Sequence, residues 1–154
     1  APGPVTNSGQ LGDNITSPWF FHYNPNTLVY DLTDIATAGW GYWTYVNAPT
    51  PVDMVGTYVV SPTFEIPLGS AWNQLGHPYT ATVSWSSVSV KSGADTRSMA
   101  DAVSAGWMSP YIYNYNTLTK QYEYADLSTG VLKPYLGYWI KSNQPGIILI
   151  IPSP

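Results

Sequence analysis

Few side chains in this chain could carry chemistry. His22 and His77 are the only histidines, Cys is absent, and nine Asp and Glu are scattered over 154 residues. A zinc centre needs three or four ligands brought together, and neither an HExxH helix nor a close His and carboxylate spacing is present. His77, before Pro78, reads as a turn residue, and His22 as part of one strand face. Glu65 and Glu123 fall on strand-like segments, but a glycosidase needs two carboxyl groups facing each other across a cleft, and sequence position alone supplies no such pairing. Asp31-Leu32-Thr33-Asp34 lacks the dense Asp/Asn/Gly alternation of an EF-hand and reads as solvated turn acids. No Gly-x-Ser-x-Gly elbow occurs. The expectation is a non-enzymatic chain without metal or cofactor.

What remains is aromatic. Charged residues make up 9% of the chain and aromatics 15%, with thirteen Tyr and seven Trp. Exposed rings can stack on sugars, and the same rings are enriched in subunit interfaces where charge is depleted. Trp19, Trp40, Trp107, Tyr115 and Tyr124 are the candidate surface rings for an interface or a sugar, with Trp19, Trp40 and Trp107 beside Pro or Gly or at segment ends. Trp43, Trp72, Trp85 and Trp139 are assigned to the core. A net charge of −4 with five scattered cations cannot form the basic stripe that neutralises phosphates, so nucleic acid is excluded as a partner. No apolar run reaches the roughly 20 residues of a spanning helix. The start at Ala1 and the scarcity of ionic residues are read as a mature secreted chain, extracellular or on a cell surface.

The elements that would position these rings are short strands punctuated by Pro and Gly. Tyr23-Asn24-Pro25-Asn26-Thr27-Leu28 returns as Tyr113-Asn114-Tyr115-Asn116-Thr117-Leu118 with five of six positions identical, and each copy precedes a Gly-Tyr-Trp, at Gly41 and at Gly137. The spacing predicts hairpins from Trp19–Tyr23 with Leu28–Leu32 and from Tyr111–Tyr115 with Tyr122–Tyr124, then strands over Gly41–Val46 and Gly137–Ser142. The glycines are read as sites of close approach. Further strands are predicted over Gly56–Val60, Thr63–Leu68 and Trp72–Leu75. Another, over Thr80–Val90, has Ala81, Val83 and Trp85 on one face and a β-bulge at Ser86-Ser87 where the parity changes to Val88 and Val90. Met99, Ala102 and Val103 recur at helical spacing between a Thr96 or Ser98 cap and Gly106, predicting a helix over about 96–105. The closing run Ile147–Ile151 is unbroken and predicts a central strand buried on both faces.

Ala71-Trp72-Asn73-Gln74-Leu75-Gly76-His77-Pro78-Tyr79, followed by Val83-Ser84-Trp85, the Ala102-Val103 helix, the Tyr hairpin and Gly137-Tyr138-Trp139, resembles a family of small β-rich domains in secreted and surface-associated prokaryotic proteins. The resemblance covers roughly residues 19–151 and implies extracellular residence without known catalysis.

The fold expected is a mainly β, antiparallel sandwich or barrel-like domain over 19–154, built from two pseudo-repeated halves (about 19–60 and 61–154) with one short helix. It is preceded by an extended arm over 1–18. The first half has no Trp-Asn strand before its hairpin, which predicts an unpaired edge or groove that the arm, through Val5, Leu11 and Ile15, could fill in its own or another subunit. Asn14 opens the only glycosylation sequon. The function expected is a structural subunit that self-assembles with identical copies into a filament, pilus-like fibre or surface layer, by strand donation. The alternative is a carbohydrate-binding module with polysaccharide as its partner.

Overall fold

Branched and aromatic residues broken every few positions by Gly, Pro or Asn form short strands, and a computed structural model describes residues 20–33, 35–46 and 58–154. In chain order the strands are β1 (Phe20–Asn24), β2 (Val29–Thr33), β3 (Thr63–Leu68), β4 (Ala71–Gly76), β5 (Val83–Ser84), β6 (Ser89–Ser92), β7 (Asp95–Ser98), β8 (Ile112–Asn116), β9 (Gln121–Ala125), β10 (Val131–Leu132), β11 (Gly137–Ser142) and β12 (Ile147–Pro152). A 3-10 turn (Trp85–Ser87) separates β5 from β6, and helix α1 (Met99–Ser104) follows β7. Two four-stranded antiparallel sheets, ordered β4-β11-β8-β9 and β3-β12-β6-β7, pack as a sandwich, and β1-β2 and β10-β5 form two-stranded ribbons. The arm with Val5, Leu11, Asn14 and Ile15, and Trp19 beside it, lies outside the described residues.

The isoleucine run supplies the middle of the second sheet, with β3 on one side of β12 and β6 on the other. Ile147, Leu149 and Ile151 are buried, whereas Ile148 and Ile150 are half-buried, so one face enters the core and the other only partly. Leu75, Ile112, Tyr138 and Ile140 belong to the same core cluster from the first sheet. Burying a side chain of this size contributes roughly 1.5–3 kcal/mol relative to leaving it in water. Trp85 is fully buried, and its indole N–H donates to the Pro110 carbonyl at 3.0 Å.

Several local expectations are corrected. The parity change between Trp85 and Val88 is made by the 3-10 turn, closed by Val88 N–H on the Trp85 carbonyl, rather than by a β-bulge. Strand pairing there starts only at Val83, which leaves Ala81 exposed. The helix is shorter than predicted because Asp95–Ser98 pair with β6 as a strand. Ser98 is the residue that caps it, its Oγ accepting from Asp101 N–H at 3.1 Å. Gly106 ends the segment at φ +77°. Gly41–Val46 is not a continuous strand but touches its neighbours through isolated bridges at Trp40 and Trp43. Of Gly56–Val60, residues 56 and 57 lie outside the described residues, and 58–60 are not strand. Trp72, expected in the core, is 39% exposed, and Trp43 and Trp139 are half-buried.

The strand missing from the first half leaves no slot beside the first Gly-Tyr-Trp, because β4 fills it. One edge of β4 pairs with β11 over six residues. The other edge takes Gly41 N–H on the Gln74 carbonyl at 3.1 Å and sends Gly76 N–H to the Gly39 carbonyl at 2.9 Å. A Cβ on Gly41 would lie 2.7 Å from the Leu75 carbonyl oxygen, so glycine is what permits this approach. Gly137 has no such need, since its Cβ would meet nothing nearer than 4.0 Å. The strand order also does not divide the chain into matching halves. The second hairpin lies within a four-stranded sheet, and the first stands as its own ribbon.

Candidate functional site

Both Tyr-Asn hairpins close with the same turn chemistry. Asn24 Oδ1 accepts from the N–H groups of Asn26 at 3.0 Å and Thr27 at 3.4 Å, while Leu28 N–H returns to the Asn24 carbonyl and Leu28 takes φ +61°. Asn116 Oδ1 likewise accepts from Leu118 at 2.9 Å and Thr119 at 3.2 Å, with Lys120 N–H on its carbonyl and Lys120 at φ +59°. Each Asn amide also donates across its hairpin to a carboxylate, Asn24 to Asp31 at 2.8 Å and Asn116 to Glu123 at 2.6 Å. A short polar side chain that holds two turn N–H groups offsets the cost of a left-handed non-glycine residue. Asn24 therefore corresponds to Asn116, two residues beyond the Asn114 with which sequence identity aligns it.

The rings above these turns are exchanged between hairpins. Tyr23 packs on Tyr30 at 5.5 Å and Tyr115 on Tyr122 at 5.3 Å, both at 68°. Trp139, from the second Gly-Tyr-Trp, meets Tyr23 at 5.1 Å, and Trp43, from the first, meets Tyr115 at 5.1 Å. Edge-to-face pairs of this kind contribute about 0.5–1.5 kcal/mol each beyond burial. Behind them, the Tyr42 hydroxyl accepts from Thr37 N–H and the Tyr138 hydroxyl from Lys133 N–H, both at 2.8 Å. Burial raises the pKa of both phenols above the ordinary tyrosine value.

The structure separates the candidate residues into groups. Tyr124 is 70% exposed and forms a surface cluster with Tyr113, Tyr111 and Trp72, the last at 5.5 Å from Tyr113. Tyr115 is half-buried in the exchanged set. Trp107 packs against the edge of the core, and Arg97 covers its ring at 4.3 Å. Trp40 is 45% exposed and stacks on His22 at 4.2 Å and 16°.

Trp40 and His22 also line a cleft of about 330 Å³ between the first hairpin, β3 and β4. His22 Nδ1 lies 2.9 Å from the Gly41 carbonyl, which can only accept, so Nδ1–H donates to it. Gln74 reaches across from β4, its Oε1 accepting from Tyr23 N–H at 2.8 Å. Asn24, Asn26 and Asp31 come from the turn side, and Ile66 and Leu68 supply apolar surface. Sequence reasoning singled out Trp40 but not its setting. Gln74 beside the Trp72-Asn73 pair was the available signal, since Trp72 and Gln74 share the outward face of β4.

The acid and histidine candidates do not converge. Glu65 lies on β3 and Glu123 on β9, in different sheets, and Glu123 is engaged by Asn116. Asp31 is bonded to Asn24, and Asp34 lies outside the described residues. His77 Nε2 is 2.6 Å from the Ala81 carbonyl and, among the described residues, its buried Nδ1 has no partner; burial lowers its pKa. Among the described residues no group of three or more His, Asp or Glu is placed to hold a metal ion, and no helix is long and apolar enough to cross a membrane. No family model, curated protein or solved structure matches the chain.

Proposed function

We propose that this chain is a non-enzymatic extracellular structural subunit that assembles with identical copies by pairing at the open edge of its first hairpin. The observation that carries the reading is β2. Among the described residues it pairs with β1 alone, and Val29, Tyr30, Asp31 and Leu32 are all exposed, Val29 and Leu32 by more than half. Leu28 and Ile35 beside it are also exposed. A strand edge this apolar is a template for another strand, and soluble monomers normally blunt such edges with charge, Pro or a covering element. The low charge of the whole chain and the resemblance to surface-associated β domains support the same direction.

Sedimentation velocity over a concentration series, with negative-stain microscopy of the concentrated sample, tests the reading. The wild-type chain is expected to assemble, and Leu32→Lys is expected to stay monomeric with an unchanged circular dichroism spectrum. A wild-type chain that remains monomeric at the highest soluble concentration contradicts it. Deleting residues 1–18 separates two geometries: assembly that survives is edge to edge, and assembly that is lost is donation of the arm.

A further inference from the structure

We infer that the cleft under the first hairpin is a binding site for a neutral saccharide, a role that does not depend on assembly at β2. Its volume of about 330 Å³ lies at the lower end of the range for small-ligand sites and suits one or two sugar rings rather than a polymer groove. The wall is an aromatic plate. Trp40 is backed on one side by the His22 ring, so the plate is held in place before any ligand arrives, and 45% of Trp40 is open to solvent. Such a plate suits the C–H face of a pyranose.

The polar groups that line the cleft with Trp40 are those a polyol needs. Asn24, Asn26 and Gln74 are amides, of which Asn24 keeps one Nδ2–H beyond its bonds to the turn and to Asp31, and Gln74 keeps its Nε2 donors while its Oε1 holds Tyr23. Asp31 is, among the described residues, the only charged residue lining the cleft. Asp31 already accepts from Asn24, and a carboxylate has lone pairs for further hydroxyl donors. With no Lys or Arg in the lining, a phosphorylated or carboxylated ligand would meet Asp31 uncompensated. Four amides, Asn24, Asn26, Asn73 and Gln74, and one acid beside a fixed ring suit a ligand of several hydroxyls better than a single positive charge, which would use Asp31 and Trp40 alone.

The test is a titration of the full chain, followed by ¹H–¹⁵N NMR, with millimolar cellobiose, maltose, lactose and diacetylchitobiose, and with choline and a lysine-rich peptide as cationic comparators. At least one disaccharide is expected to shift the Trp40 indole and the Asn24, Asn26 and Gln74 amide signals. Trp40→Ala is expected to weaken that binding by roughly tenfold or more. Asn26→Ala, at an exposed turn position where folding is not at stake, is expected to weaken it as well. Absence of shifts at these residues with every sugar overturns the inference. So does undiminished sugar binding by both variants, and so does a response to choline or the peptide without one to the sugars.

Discussion

The two hairpins use the same turn and the same rings but differ in what holds them. β8 and β9 belong to a four-stranded sheet, β8 inside it and β9 at its edge, whose inner face, through Ile112, Tyr138 and Ile140, is sealed into the core. The first hairpin is joined to its neighbours by the Phe21 and Trp43 bridge, by the Tyr23 N–H bond to Gln74 and by the exchanged rings. Its second strand is exposed, as β9 also is at the sheet edge, so the difference lies in the first strands: β8 pairs with β11 as well as β9, whereas β1 pairs as a strand with β2 alone among the described residues. Identical local chemistry thus gives one hairpin built into the domain and one presented by it. Turn formation is a property of a few residues, whereas anchorage depends on which face finds a core.

The largest expected effect tests that difference in anchorage. Ile140→Ala, beneath the second hairpin and fully buried, should cost about 2–5 kcal/mol in urea unfolding. Leu32→Ala, on the presented strand, should stay within about 0.5 kcal/mol of wild type. The two equivalent glycines come next. Gly41→Ala drives a Cβ against the Leu75 carbonyl and should cost about 1–3 kcal/mol, while Gly137→Ala, with open space around it, should change stability by less than about 0.5 kcal/mol. Equal effects would mean that the two Gly-Tyr-Trp segments are held alike.

Smaller again are the turn residues. Asn24→Ala and Asn116→Ala each remove contacts to two N–H groups and a carboxylate, at about 0.5–1.5 kcal/mol. Hydrogen exchange should place the loss locally in 20–33 for Asn24→Ala and across the four-stranded sheet for Asn116→Ala. The smallest effect is a pH dependence outside both hairpins. His77, packed against Tyr79, has a folded pKa lowered by burial. Its contribution is therefore complete above the unfolded value of about 6.5 and is lost as pH falls through the folded value. Unfolding midpoints measured from pH 7.5 downward should decline more steeply for wild type than for His77→Phe.

Much of the sandwich was legible because strand signals are local. Thr63–Leu68 and Gly137–Ser142 emerge with the predicted bounds, each bounded by turn residues and each pairing along its whole length with one partner. The helix was overextended because Thr96 and Arg97 satisfy a helical pattern equally well, and only their pairing with Lys91 and Val90 decides for a strand. The correspondence of Asn24 with Asn116 was hidden by the repeated Tyr-Asn in the second copy, which lets identity win by a two-residue slip. The cleft was legible only in pieces, as Trp40 among the candidate rings and Gln74 beside Trp72 and Asn73, and not as a site. Its plate forms from His22 and Trp40, and its far wall from Gln74 on β4, which sequence assigns to the other half. No local pattern reports that β4 serves both.

The most direct measurement is hydrogen exchange by mass spectrometry on the full chain at low and high protein concentration. Amides of residues 29–33 are expected to gain protection with concentration, as the open edge of β2 acquires a partner, while those of the β11 and β12 core stay unchanged. Protection of 29–33 that is the same at both concentrations would contradict the proposal that this edge is where copies of the chain meet.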